Sequence, residues 1–326
     1  MTGDRIRWGI LATGTIARYF ATDLQLMPDA EIAAVGSRSL EAARAFAADF
    51  GVPRAYGSWQ ALAEDPEVDV VYVATPHSAH HVATMTCLRA RKPTLTEKPF
   101  TLDLAQAEEL AETARSAGVF LMEAMWTRCF PAVRTIAGLV ADGAIGAVTA
   151  VHADFSVSVD VPPTHRMRAR ELGGGALLDL GVYPVTFAHI FLGTPQTVTA
   201  HARLSPEGVD ENTSVVLGYR SGAIATLTCA LVGDGPKTAA ILGTKGRIEV
   251  PRHFLRPDRF TVAHGDGEPE LVAMPHEGRG YHFEAAEVHR CLRAGLTESP
   301  VVPLAETLAV MATLDAVRER IGVSYD

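Results

Sequence analysis

At 326 residues, 48% of them hydrophobic, the chain carries more apolar material than one core usually holds, so two domains are expected. Its 29 Lys and Arg against 38 Asp and Glu leave a net charge of -9. That balance excludes the basic footprint of a nucleic-acid binder or of a protein drawn to an anionic membrane, and leaves small molecules as partners.

The opening segment, MTGDRIRWGILATG, has an acid and two arginines ahead of its apolar run, which is not the pattern of a signal peptide. From there short apolar runs alternate with helical spacing. IRWGILA (6–12), EIAAVGS (31–37), VDVVYVAT (68–75), PTLTEKP (93–99) and GVFLMEA (118–124) read as buried strands. Between them TIARYFATDLQLM, LEAARAFAADF, HHVATMTCLRA and LDLAQAEELAETARSAG read as helices. This is the order of βαβ units, so a doubly wound dinucleotide-type domain is expected over residues 1–124 of an α/β protein.

After residue 147 the runs lengthen and alternate: VTAVHADFSVSV, QTVTAHARL, NTSVVLGY, AIATLTCALV, AAILGTKGRIEV and FTVAHG. RSG (220–222) and TKG (244–246) read as hairpin turns. A C-terminal α+β domain over 125–326 follows, with a large, mostly antiparallel open sheet covered on one face by the apolar helix of 173–193. Two further helical stretches, 281–295 and 304–322, close the chain. The four cysteines are far apart and show no zinc-site spacing, which suits free buried thiols in a reducing cytoplasm and no bound metal. The apolar stretch is a poor membrane span, because Asp179, Pro184 and a GGG entry interrupt it.

Three places carry chemistry. Ala12 to Ala17 occupies the strand-to-helix turn of a phosphate loop, where Thr13, Gly14, Thr15 and Ile16 lead into a helix whose first N–H groups suit an anion. Where an NAD enzyme places an acid after the second strand, this chain has Ser37 and Arg38, which suit the 2′-phosphate of NADP. Thr75, His77 and His80 follow the next strand, and Glu97 and Lys98 end another, all on the edge where ligands bind in such sheets. Asp179 and Tyr183 lie one helical turn apart in the apolar run. An unpaired buried carboxylate costs several kcal/mol or more, so Asp179 needs a cation or a chemical role. Oxidising an alcohol needs a hydride acceptor and a base. Tyrosine, with an ordinary pKa of about 10, becomes usable as an acid/base beside an ammonium such as that of Lys98. Either Tyr183 or Lys98 is the proton carrier on this reading.

Taken together, the Gly turn, T-P-H-x-x-H (75–80), Glu97-Lys98-Pro99, LMEAMWTRCFP (121–131), GGALLDLGVY (174–183) and ESPVVPLAET (298–307) resemble the Gfo/Idh/MocA family of oxidoreductases. The likeness is greatest to its NADP-dependent dihydrodiol and D-xylose dehydrogenase branch. It implies Lys98, Asp179 and Tyr183 as catalytic residues. Thr13, Gly14, Thr15, Ile16, Ser37, Arg38, Thr75, His77, His80, Glu97, Lys98, Trp126 and Arg128 would hold the cofactor. Phe155, Trp126 and Arg166 are expected at the substrate, although a solvated basic loop is the plainer reading of Arg166, Arg168 and Arg170. Two departures stand out: Ala12 replaces the first glycine, and Tyr183 stands where many members have histidine. The resemblance implies a cytoplasmic, NADP-dependent dehydrogenase or reductase of a secondary alcohol, hemiacetal or ketone in an aldose such as D-xylose or a cyclic trans-diol. It also implies a homodimer formed through the C-terminal sheet. A nucleotide-retaining glycosidase, a modified-sugar ketoreductase and a non-catalytic sensor are the rival readings.

Overall fold

The structure is a computed structural model that describes residues 5–325. The first four residues and Asp326 lie outside the described residues, and with them the start of the segment weighed as a signal peptide. The chain forms two compact units. One comprises Met1–Thr101, Ala105–Cys129 and Glu277–Thr307, the other Leu102–Leu104, Phe130–His276 and Leu308–Asp326. The expectation was a single division at 124/125; instead the chain returns to the first unit over Glu277–Thr307.

In the first unit β1 (Ile6–Leu11), α1 (Thr15–Leu24), β2 (Ala30–Gly36), α2 (Leu40–Phe50), β3 (Arg54–Tyr56), α3 (Trp59–Ala63), β4 (Val70–Val73), α4 (His80–Arg89), β5 (Thr94–Glu97), α5 (Leu104–Ala117) and β6 (Leu121–Ala124) follow in order. The six strands are parallel in the order β3-β2-β1-β4-β5-β6. Chain order reverses between β1 and β4, which is where this sheet type opens a ligand crevice at its carboxyl edge. β4, β5 and β6 are buried at every position, as strands covered by helices on both faces must be. Ser39 and Ser58 begin α2 and α3 by accepting the N–H of Ala42 and Ala61.

The second unit contains α6 (Pro131–Ala141), β7 (Val148–Ser156), α7 (Val182–Leu192), β8 (Thr197–Leu204), β9 (Asp210–Gly218), β10 (Ile224–Ala230), β11 (Ala239–Gly243), β12 (Gly246–Val250), β13 (Arg259–His264) and β14 (Glu270–Ala273). The strands form one sheet, β14-β13-β12-β11-β7-β10-β9-β8, antiparallel except for the β7–β10 pair. RSG and TKG are the turns of the β9–β10 and β11–β12 hairpins. α7 packs on β7 and β10, while Val216, Thr226 and His152 line up across β9, β10 and β7 on the exposed face. α8 (Tyr281–Arg293) belongs to the first unit and packs on α1; α9 (Leu304–Ile321) begins there and ends in the second.

The apolar stretch is not one uniform helix. Leu177–Gly181 is wound as a π-turn and leads directly into α7, so Asp179 and Tyr183 are separated by a wider turn than the α-helical spacing expected. The stretch Arg170–Leu192 is long and apolar enough to cross a membrane, yet 83% of its apolar window is buried inside the protein. All four cysteines are buried.

Candidate active site

At the end of β1 the backbone of Ala12 takes φ 106°, a conformation that favours glycine, although the residue carries a methyl group. Gly14 then starts α1 with no side-chain cap, so the first-turn N–H groups have no side-chain acceptor. A Cβ built on Gly14 would meet no protein atom within 4 Å, so packing does not demand glycine there. Thr13 is half-buried, Thr15 exposed and Ile16 half-buried beside this open space. Such an uncapped helix start with clear space fits a nucleotide diphosphate. After β2, Ser37 accepts the N–H of Ser39, and Arg38 is exposed.

The ends of β4, β5 and β6 converge on the same edge. Thr75 is buried and its hydroxyl makes no hydrogen bond, which leaves a polar atom for a ligand at the crevice. His80 differs from expectation. It is fully buried, with Nδ1 2.7 Å from the Pro99 carbonyl and Nε2 2.9 Å from the Thr75 carbonyl, so it braces the loops after β4 and β5 rather than facing a cofactor. His77 is buried against it, ring centroids 5.6 Å apart. Glu97 accepts the Tyr72 hydroxyl at 2.5 Å and the Lys98 backbone N–H at 3.1 Å, which fixes the strand end from which the half-buried Lys98 side chain projects; the Lys98–Pro99 peptide is cis. Beyond β6, Trp126 is buried and stacks on Tyr281 at 4.3 Å. Arg128 is ion-paired with Glu306 and 10% exposed, so its charge is already used within the protein.

In the second unit Asp179 is buried and pairs with Arg166, Nη1 to Oδ2 3.3 Å. Arg166 thus supplies a cation for the apolar run from thirteen residues upstream. Arg168 pairs with Glu207 at 3.0 Å, and Arg170 donates to the Ser324 carbonyl at 2.8 Å. Each arginine of the cluster has a partner in the protein, while Arg170 stays exposed. Tyr183 is buried, its ring centroid 5.4 Å from that of Phe155 at an interplanar angle of 69°. The GGG entry has a steric cause: Gly175 has φ 124°, and a Cβ there would lie 2.4 Å from Asp210 Oδ1. Asp210 in turn accepts the Leu177 N–H at 2.8 Å and anchors the π-turn.

Several groups at the first unit's edge escaped the sequence reading. Tyr72 looked like one more apolar strand position, and only its hydroxyl marked it. Glu123 lies in the LMEAMW motif and accepts the Thr307 hydroxyl at 2.9 Å; burial pushes its carboxyl up to about 7. Glu284, in the first turn of α8, is fully buried and neither carboxyl oxygen makes a hydrogen bond. Burial, and then the nearby Glu97, raise its pKa well above the ordinary carboxylate range.

A parallel nucleotide-type domain with an uncapped helix start after its first strand fits a nucleotide-dependent oxidoreductase. The comparisons agree: the model of an oxidoreductase family with an NAD-binding Rossmann fold matches residues 6–125, and that of the GFO/IDH/MocA C-terminal domain matches 133–249. The chain belongs to the Gfo/Idh/MocA family. It is 39% identical to the trans-1,2-dihydrobenzene-1,2-diol dehydrogenase of Mus musculus, over 98% of each chain. Among solved structures it is similar to a 3-ketoreductase of Actinomadura kijaniata in complex with NADP and TDP-benzene, with TM-score 0.87 and 30% identity over 98% of each chain. It is also similar to an aldose-aldose oxidoreductase of Caulobacter crescentus, with TM-score 0.87 and 25% identity over 97% of each chain.

Proposed function

We propose that this sugar or diol oxidoreductase is an NADP-dependent dehydrogenase whose substrate is a cyclic trans-diol. The observation that carries the substrate reading is the apolar packing of the stretch that bears Tyr183. Phe155 packs against the Tyr183 ring, and with the partly buried Val157, Val159 and Met167 it also packs on the apolar cluster of Ala176, Leu180, Cys229 and Leu231, two of which belong to the same stretch as Tyr183. A ring with few polar groups is favoured there over a fully hydroxylated open chain. The identity to dehydrogenases of a trans-dihydrodiol supports the same choice. Arg38 and Ser37 favour a 2′-phosphate, and the ketoreductase relative was solved with NADP.

When bound, the nicotinamide accepts hydride from the carbinol carbon. The chain's own residues do the rest. The N–H groups of α1 hold the diphosphate, and the Thr75 hydroxyl supplies a polar contact at the crevice. Tyr183 takes the proton of the substrate hydroxyl. Asp179, paired with Arg166, accepts from the second hydroxyl of the diol. Reduction of a keto sugar is the second reading, favoured by the likeness to the 3-ketoreductase.

The deciding measurement is the initial rate of NADP+ reduction over a panel of cyclic trans-diols and aldoses, with Lys98→Met as the blank and Tyr183→Phe as the probe. Turnover on the diols that vanishes in the blank, and falls by about a hundredfold or more in Tyr183→Phe, is expected. Turnover confined to aldoses overturns the substrate reading, and an unimpaired Tyr183→Phe removes that residue from the proton path.

A further inference from the structure

α1 presents Thr15, Tyr19 and Asp23 at four-residue intervals, hence on one face. Asp23 is buried and fixes the start of α8 by accepting the backbone N–H groups of Arg279 (2.9 Å), Gly280 (2.7 Å) and Tyr281 (2.9 Å). From that anchored backbone the Arg279 side chain runs back along α1, and its guanidinium carbon lies 3.7 Å from the centroid of the Tyr19 ring. Helical side chains lean toward the N-terminus, so the Tyr19 ring covers the turn that begins at Thr15. The Arg279 charge is thereby carried to the uncapped end of α1.

Arg279 is exposed, and among the described residues it forms no ion pair. Arg7, Arg18, Arg54 and Arg128, by contrast, each have a carboxylate partner. An arginine held on an aromatic face, with its five donors unclaimed by acids and an anion site one helical turn away, is preorganised for a phosphate.

We infer that Arg279 is a further cofactor-binding residue, which clamps the diphosphate of the dinucleotide from the α8 side while the first turn of α1 holds it through N–H groups. The inference rests on the nicotinamide-nucleotide reading above. It assigns the diphosphate to Arg279 and leaves the 2′-phosphate to Arg38.

Affinity for NADP+ and for NAD+ is the test, measured by titration calorimetry on the full chain without substrate, at low and high salt. Arg279→Ala is expected to weaken both nucleotides by a similar factor, about tenfold or more, and to flatten the salt dependence. Arg38→Ala, the comparator, is expected to weaken NADP+ alone. Arg279→Lys keeps the charge but not the planar fork and falls between; Tyr19→Leu removes the perch and shifts affinity in the same direction. These two carry the test if Arg279→Ala melts early. Unchanged affinities in Arg279→Ala overturn the inference, as does weakening of NADP+ alone, which makes Arg279 a second 2′-phosphate contact. A wild-type chain that binds neither nucleotide overturns the cofactor reading, and this inference with it.

Discussion

Ala12 holds a left-handed backbone that a β-carbon disfavours, at the turn where the phosphate loop needs its tightest bend. Strain of this kind costs on the order of 1 to 3 kcal/mol, and glycine relieves it while adding a smaller entropy cost in the unfolded chain. Ala12→Gly should therefore stabilise the protein by about 1 kcal/mol, read as a higher denaturant midpoint at constant slope. NADP+ affinity should stay within about twofold, since the loop already has glycine geometry. A lower midpoint would mean that the methyl group packs favourably enough to offset the strain. Glu123 makes a second case. Burial lifts its carboxyl from 4.5 to about 7, against the Thr307 hydroxyl and the Arg128 charge, which pull it down. Because the folded-state value is raised, its stabilising effect is complete below the unfolded value and is lost as pH rises toward 7. The loss is on the order of 3 kcal/mol. Glu123→Gln should remove that slope, so its stability advantage over wild type grows between about pH 5 and pH 8. Parallel pH profiles would show that Glu123 is not the titrating group.

At the scale of elements, what was legible in the sequence is what local pattern encodes. β1, β2, β4, β5 and β6 stand where apolar runs end in polar motifs, so the ligand edge could be read strand by strand. The hairpins of the second unit were marked by alternation and by RSG and TKG. Short or unpatterned elements were not: β3 and β14 span three and four residues, and α6 is apolar enough to lack a clear period. Nor does hydropathy carry winding. The π-turn at Leu177–Gly181 follows from tertiary contacts, with Gly181 so close to β10 that a Cβ would lie 2.9 Å from Cys229 Sγ, and with Asp210 capturing the Leu177 N–H. Tyr281, Glu284 and Arg279 were invisible as site residues for a different reason. They reach the first unit from more than 250 residues beyond its first strand, a return that no local pattern announces.

At the scale of the whole molecule, the exposed face of the eight-stranded sheet makes its own demand. Successive pairings place Val216, Thr226, His152, Ala240, Glu249, Thr261 and Leu271 in one row across seven strands. A solvated antiparallel face should be polar, yet Leu271 is 61% exposed, Ile224 49% and Val216 43%. Between them lies a groove of about 610 Å³ lined by His152, Asp154, Thr228, Glu249 and Leu271 among others. Apolar side chains set among Thr and two carboxylates suit a face that meets another copy of itself better than one that meets water. We propose that this face forms a homodimer, as the family resemblance implies. Because two-fold symmetry brings each charge to both sides of the contact, Val216→Lys with Ile224→Lys should place four ammonium groups in one buried patch and release monomers. Light scattering on the eluting peak should then halve the mass, while NADP+ affinity, set by the first unit, stays unchanged. An unaltered dimer mass in the double variant would move the interface elsewhere, and a monomeric wild type would leave the exposed Leu271, Ile224 and Val216 as surface that the protein tolerates.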